Sequence, residues 1–184
     1  MIKNYLTSFS EIIKNTQITN INQQQLSSDY SFKIIIEQLM KLKKDKGTLF
    51  LLGNGGSSGI ISHASTDFLK VGELKAVPLT DNSQLTCMAN DYGYEYVFSK
   101  PLEIMAQKND IVIAISSSGS SMNIINAANM AKSKGCYVVT YSGFKSTNQL
   151  RTIGDVNFWL NSSNYGKVEI GHALLLHILS DEIC

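Results

Sequence analysis

Arginine is almost missing from this 184-residue chain: Arg151 is the only one, and 16 basic residues against 15 acidic ones leave a net charge of +1. A nucleic-acid surface needs a basic excess and guanidinium forks, so no nucleic-acid partner is expected. The Lys43 to Lys46 cluster, interrupted by Asp45, reads as a solvated helix end. Cysteine is scarce and odd in number. Cys87, Cys136 and Cys184 show no C-x-x-C spacing, which excludes a disulfide framework and a cysteine zinc site and points to a reducing cytoplasm. No window approaches the ~20 apolar residues of a membrane span. Met1-Ile2-Lys3-Asn4 leads into an amphipathic pattern rather than a signal-peptide apolar run, so a cytoplasmic protein with no membrane partner is expected. With only two prolines, Pro78 and Pro101, and no low-complexity linker, residues 1–184 read as one domain without repeats. A chain of this length can bury about 70% of its extended surface, so folding needs no covalent staples.

Hydrophobic periodicity divides the chain. Ile2, Leu6, Phe9 and Ile13 recur at helical spacing, the polar stretch Asn15 to Ser28 breaks the pattern, and a second helix is expected from about Tyr30 to Lys44. Thr48 to Leu52 is then a short apolar run ending in glycine, as in a strand buried on both faces of a parallel sheet. Similar runs at Ala76 to Leu79, Ile111 to Ile115, Tyr137 to Tyr141 and Val156 to Leu160 make five strands. Helical stretches at His63 to Val71, Met122 to Ser133 and Val168 to Ile183 alternate with them. The expected fold is therefore α/β: a three-layer αβα sandwich on a five-stranded parallel sheet, resembling a flavodoxin. Residues 1–46, the N-terminal helical pair, lie outside the alternation of the 47–184 core and need something to pack on. An oligomer partner would serve.

Ligands of open parallel sheets bind beyond the carboxyl ends of the strands, which directs attention to two loops. Gly53-Asn54-Gly55-Gly56-Ser57-Ser58 follows the first strand, and Ser116-Ser117-Ser118-Gly119-Ser120-Ser121 follows the third. Glycines allow close backbone approach, hydroxyls donate, and a following helix N-terminus favours an anion. Such loops can also be simple helix caps. Neither carries a Walker A or dinucleotide fingerprint, so a phosphorylated small molecule suits them better than ATP or NAD.

Three histidines exist, His63, His172 and His177. His63 and Asp67 stand one helical turn apart, a spacing that serves a metal clip and an ordinary charge-assisted pair equally. Glu169 precedes His177 by eight residues, roughly 12 Å along a helix axis. One metal could join them only by sitting between them or by drawing on different chains. His172 reads as a packed helix residue.

Taken in order, these motifs are similar to those of a known family. Gly53-Asn54-Gly55-Gly56-Ser57, a histidine six residues on, Ala89-Asn90-Asp91-Tyr92-Gly93-Tyr94, Ile115 to Ser121 and a closing Glu-x-x-His-x-x-x-x-His resemble the sugar isomerase (SIS) domain, and within it the phosphoheptose isomerases. The resemblance implies an aldose-ketose isomerisation of sedoheptulose 7-phosphate to D-glycero-D-manno-heptose 7-phosphate, toward bacterial lipopolysaccharide or capsule. It further implies a homotetramer with active sites at subunit interfaces and one zinc per subunit. By position, Ser116, Ser117, Ser118 and Ser121 would hold the phosphate, and Asn54, Gly55, Gly56, Ser57, Asn90, Asp91 and Glu169 would line the sugar pocket. The metal ligands would be His63, Asp67, Glu169 and His177, and the catalytic groups Asp67, His177 and Glu169.

Two of these positions depart from the family. Asp67 stands where the family has Glu, Glu169 where it has Gln, and Gly166-Lys167 replaces an acidic-Arg pair. Shortening a base by one carbon matters, because a 1 Å misplacement can cost about 10²-fold. Glu169 could take over the base role, since an enediolate mechanism needs one well-placed carboxylate. A non-catalytic sugar-phosphate-binding or protein-interaction protein, and an isomerase of another phosphosugar, are the alternative functions.

Overall fold

The computed structural model describes residues 1–183, so Cys184 lies outside the described residues. Among the described residues, seven α-helices surround one mixed sheet. The helices are α1 (Ile2–Lys14), α2 (Ser28–Asp45), α3 (Gly56–Lys70), α4 (Asn82–Tyr92), α5 (Ser99–Met105), α6 (Met122–Ser133) and α7 (Tyr165–Asp181). The strands are β1 (Gln17–Asn20), β2 (Thr48–Gly53), β3 (Lys75–Pro78), β4 (Ile111–Ser116), β5 (Tyr137–Ser142) and β6 (Val156–Trp159), in the order β1-β6-β5-β4-β2-β3. β2 to β6 run parallel. The three-layer αβα class holds, but the sheet has six strands rather than five.

The sixth strand is β1, inside the polar stretch expected to be irregular. It pairs antiparallel with β6, setting Ile18 opposite Phe158. Only four residues long, with Ile18 and Thr19 alone buried, it offers no apolar run to read. The chain then folds back on it: Leu26 N–H donates to Ile18 O at 2.8 Å and a bridge joins Thr19 to Gln25.

Alternation along the central strands supplies two cores. Leu49, Leu51, Ile113 and Ile115 face one side, where Leu39 of α2, Phe68 of α3 and Leu176 of α7 cover them. Phe50, Leu52, Val112 and Ala114 face the other, beneath Leu102 of α5 and Ala127 of α6. Each buried Leu or Phe contributes about 1.5–3 kcal/mol relative to exposure. Local chemistry sets the helix ends: Ser27 Oγ accepts from Tyr30 N–H to begin α2, and Lys46 closes it in the left-handed region.

Two further departures bear on function. α3 begins at Gly56, seven residues before the expected start at His63, so the second half of the glycine-serine loop, Gly56 to Ser58, belongs to its first turn. α4, capped by Asp81 accepting from Gln84 N–H, follows β3 where no helix was expected. The amphipathic α1 buries no residue completely, and Ile2 and Leu6 remain 74% and 58% exposed. Lys167 ties it to α7, donating to Ser8 Oγ at 2.6 Å with its ammonium over the Tyr5 ring.

Candidate active site

The carboxyl ends of β2 and β4 are neighbours, with Gly53 opposite Ile115, so their following loops meet. Together they enclose a cavity of about 220 Å³. Asn54, Gly55, Gly56 and Ser57 line it from the first loop, Ser116, Ser117, Ser118 and Ser121 from the second, and Tyr165 and Glu169 from α7.

The serine loop is a tight turn. Gly119 N–H donates to both Ser116 O and Ser116 Oγ, and Ser116 Oγ donates to Ser121 Oγ at 3.2 Å. Gly119 takes φ +64°, and a Cβ there would collide with the Asn148 side chain. Asn148 is itself fixed, donating to Ser142 Oγ, Gly143 O and Lys145 O. Ser117 Oγ is buried with no hydrogen-bond partner. A buried hydroxyl without a partner costs about 1–3 kcal/mol, a penalty that an anion in the turn would relieve.

The first loop is held by amide pairing. Asn54 and Asn123 exchange two hydrogen bonds at 2.8 and 2.9 Å, and Tyr94 Oη donates to Asn54 Oδ1 at 3.2 Å. Asn123 Oδ1 also accepts from Ile124 N–H, which fixes the orientation of both amides. Tyr94, Asn123 and Tyr165 were not singled out from sequence; Tyr94 closes a quoted motif, and nothing local marks the other two.

α3 and α7 bring a second group together. His63 Nε2 and His177 Nδ1 each lie 3.5 Å from the same Asp67 oxygen, and their ring centroids are 5.2 Å apart. The three donor atoms lie within 4.8 Å of one another, so they could hold a metal ion. Donors at about 2.0–2.2 Å on a tetrahedral ion stand roughly 3.3–3.6 Å from each other, a spacing that the two separations from Asp67 match. Spacing alone showed the His63 and Asp67 pair; His177, which the resemblance had set beside them, is brought there by the packing of α7 on α3.

Glu169, expected as a fourth ligand, stands outside this group. Its carboxylate lies over Gly56, at the start of α3, where a Cβ would come within 2.6 Å of it. Gly56 lines both the serine cavity and the groove between α3 and α7 that holds His63 and His177. Asn90 and Asp91 do not line the serine cavity; they lie at the exposed end of α4, with Asn90 Nδ2 donating to Asp91 Oδ1. His172 is fully buried, donates through Nε2 to Ser142 O at 3.2 Å, and is pushed down to about 4 by burial.

Two glycine- and serine-lined turns at one end of a parallel sheet, each opening a helix, define a SIS domain. The family model for the SIS domain matches residues 5–143, and the chain belongs to that family. Within it, the chain belongs with the phosphoheptose isomerases. The phosphoheptose isomerase of Helicobacter hepaticus is 34% identical over 151 residues, covering 79% of this chain and 76% of that one. That of Shewanella denitrificans is 33% identical over 191 aligned residues, covering 100% and 95%. The structure of phosphoheptose isomerase GmhA from Neisseria gonorrhoeae superposes with a TM-score of 0.81 at 26% identity over the whole of both chains.

Proposed function

We propose that this chain is an aldose-ketose isomerase interconverting sedoheptulose 7-phosphate and D-glycero-D-manno-heptose 7-phosphate, supplying heptose for a bacterial surface polysaccharide from the cytoplasm. The observation that carries the reading is that Gly56 joins the serine cavity to the groove of the His63, Asp67 and His177 group, setting an anion turn beside proton-transfer and metal-ligating side chains. The Ser116, Ser117, Ser118 and Ser121 hydroxyls bind the phosphate. Asn54, its amide oriented by Asn123 and Tyr94, presents its remaining N–H to a sugar hydroxyl.

Zinc suits the two imidazoles and one carboxylate, and when bound it would polarise the sugar carbonyl. His63, Asp67 and His177 would hold it. Isomerisation moves one proton between adjacent carbons through an enediolate, which requires a carboxylate positioned beside the carbon chain. The apolar stripe of α1 is the assembly surface of a homotetramer, residues 1–46 being its oligomerisation element. In that assembly Asn90 and Asp91, which do not line the serine cavity of their own chain, reach the sugar of a neighbouring subunit.

The test is to incubate the zinc-loaded protein with sedoheptulose 7-phosphate and follow the aldose by chromatography. Formation of the heptose at an enzymatic rate is expected. Binding of the ketose without conversion would place the protein among binding proteins instead.

A further inference from the structure

Resting on the isomerase reading, we infer that Glu169 is the catalytic carboxylate that carries the proton between the two reacting carbons, while Asp67 is committed to the two histidines. The two carboxylates differ in what surrounds them. One oxygen of Asp67 faces both His63 Nε2 and His177 Nδ1 at 3.5 Å, so Asp67 is the hub of the group that joins α3 to α7. It does not line the serine cavity. Glu169 is the one carboxylate that does, and among the described residues no hydrogen bond or ion pair engages it.

Placement supports the division of labour. Tyr165 and Glu169 stand one turn apart on α7, so that helix forms a wall of the cavity whose serine turn would anchor the phosphate. A sugar held there by its phosphate runs its carbon chain along a wall carrying one unengaged carboxylate. Gly56 makes the position possible, because a side chain at residue 56 would occupy the space of the Glu169 carboxylate.

The step balances internally. The Glu169 carboxylate takes the proton from C1 of the ketose, and the electron pair of that C–H bond forms the C1–C2 double bond as O2 gains the negative charge. Delivered to C2, that proton, or one exchanged with solvent while on the carboxylate, completes the aldose, while the O1 hydroxyl proton is lost as the C1 carbonyl forms and O2 is protonated. No oxidant or reductant is consumed.

The experiment compares the full-length chain with Glu169→Gln, Glu169→Asp, Gly56→Ala and Asp67→Asn. It reads turnover of sedoheptulose 7-phosphate, deuterium uptake from D₂O at the reacting carbons, zinc content and affinity for the sugar phosphate. Glu169→Gln should lose at least 10³-fold in turnover and in deuterium uptake while keeping its zinc and binding the sugar phosphate within threefold of wild type. Glu169→Asp and Gly56→Ala, which displace a carboxylate without removing it, should retain exchange at about one tenth to one hundredth of the wild-type rate. Asp67→Asn should lose zinc. Glu169→Gln with turnover within tenfold of wild type overturns the assignment alone. Loss of zinc from Glu169→Gln, with activity restored by added zinc, overturns it in favour of a ligand role. A wild-type chain that neither turns over nor exchanges overturns the isomerase reading and this assignment with it.

Discussion

Acidification should destabilise this protein through His172 in particular. A carbonyl can only accept, so the hydrogen bond to Ser142 O places the proton on Nε2 and leaves the buried Nδ1 bare and without a partner. The Tyr141 ring lies edge-on at 5.8 Å and, among the described residues, no anion faces the imidazole, so a second proton would be an uncompensated buried charge. Burial holds the folded-state value at about 4, the Ser142 hydrogen bond offsetting only part, against about 6.5 in an unfolded chain. The unfolded state therefore binds protons first as pH falls. Stability contributed by neutral His172 is fully present above about pH 6.5 and is lost progressively down to about pH 4. By pH 4.5 the loss is about 2.5 kcal/mol, at 1.36 kcal/mol per decade of pH. Urea unfolding at fixed protein concentration, read from the single buried Trp159, measures this at pH 7 and pH 4.5. His172→Gln keeps a donor for Ser142 O but cannot titrate. It should lose about 2.5 kcal/mol less than wild type over that interval. Equal losses in the two proteins, or three imidazole resonances all titrating above pH 6, would refute the reasoning.

Other consequences follow from single positions. Ser117→Ala should weaken inorganic phosphate binding about tenfold in calorimetry while leaving the free protein's melting temperature unchanged or higher, since it removes a buried hydroxyl without a partner. Gly119→Ala combines a left-handed backbone with a collision against the fixed Asn148 side chain and should cost about 2–4 kcal/mol in denaturant unfolding. Replacing both Ile2 and Leu6 by Glu should reduce the particle mass in light scattering without changing the circular dichroism of the core, because these side chains stand 74% and 58% exposed on α1. An unchanged mass would remove α1 from the assembly surface.

What could be read in advance depended on whether a residue's role was written in its neighbours. Runs such as Ile111 to Ile115, apolar on both faces, announced central strands, and glycine or serine after them announced the site. β1 was hidden because its four residues take their place from β6 and not from any pattern of their own. The first turns of α3 were hidden because Gly-Ser-Ser-Gly is a poor helix former that adopts the helix only against β2 and α7. α4 was missed because its apolar stripe, Leu85, Met88 and Ala89, is short, only partly buried and flanked by polar residues on both sides. In the site, the one-turn spacing of His63 and Asp67 was visible, whereas the approach of His177 depends on how α3 packs on α7. Glu169 shows the limit most clearly. Spacing along α7 placed it far from His177, but only the fold shows that its carboxylate fills the space above Gly56.

The two margins of the sheet set how this protein can and cannot associate. On one side β3 ends in Pro78, which has no N–H to offer, and opens with the exposed Lys75. On the other, β1 is four residues long and the chain folds back over it through Leu26 and Gln25. Neither margin presents a long row of free backbone groups, the template from which open-ended strand-to-strand growth begins. Edge-to-edge pairing of copies is therefore disfavoured, which guards against fibril growth even when the protein is crowded.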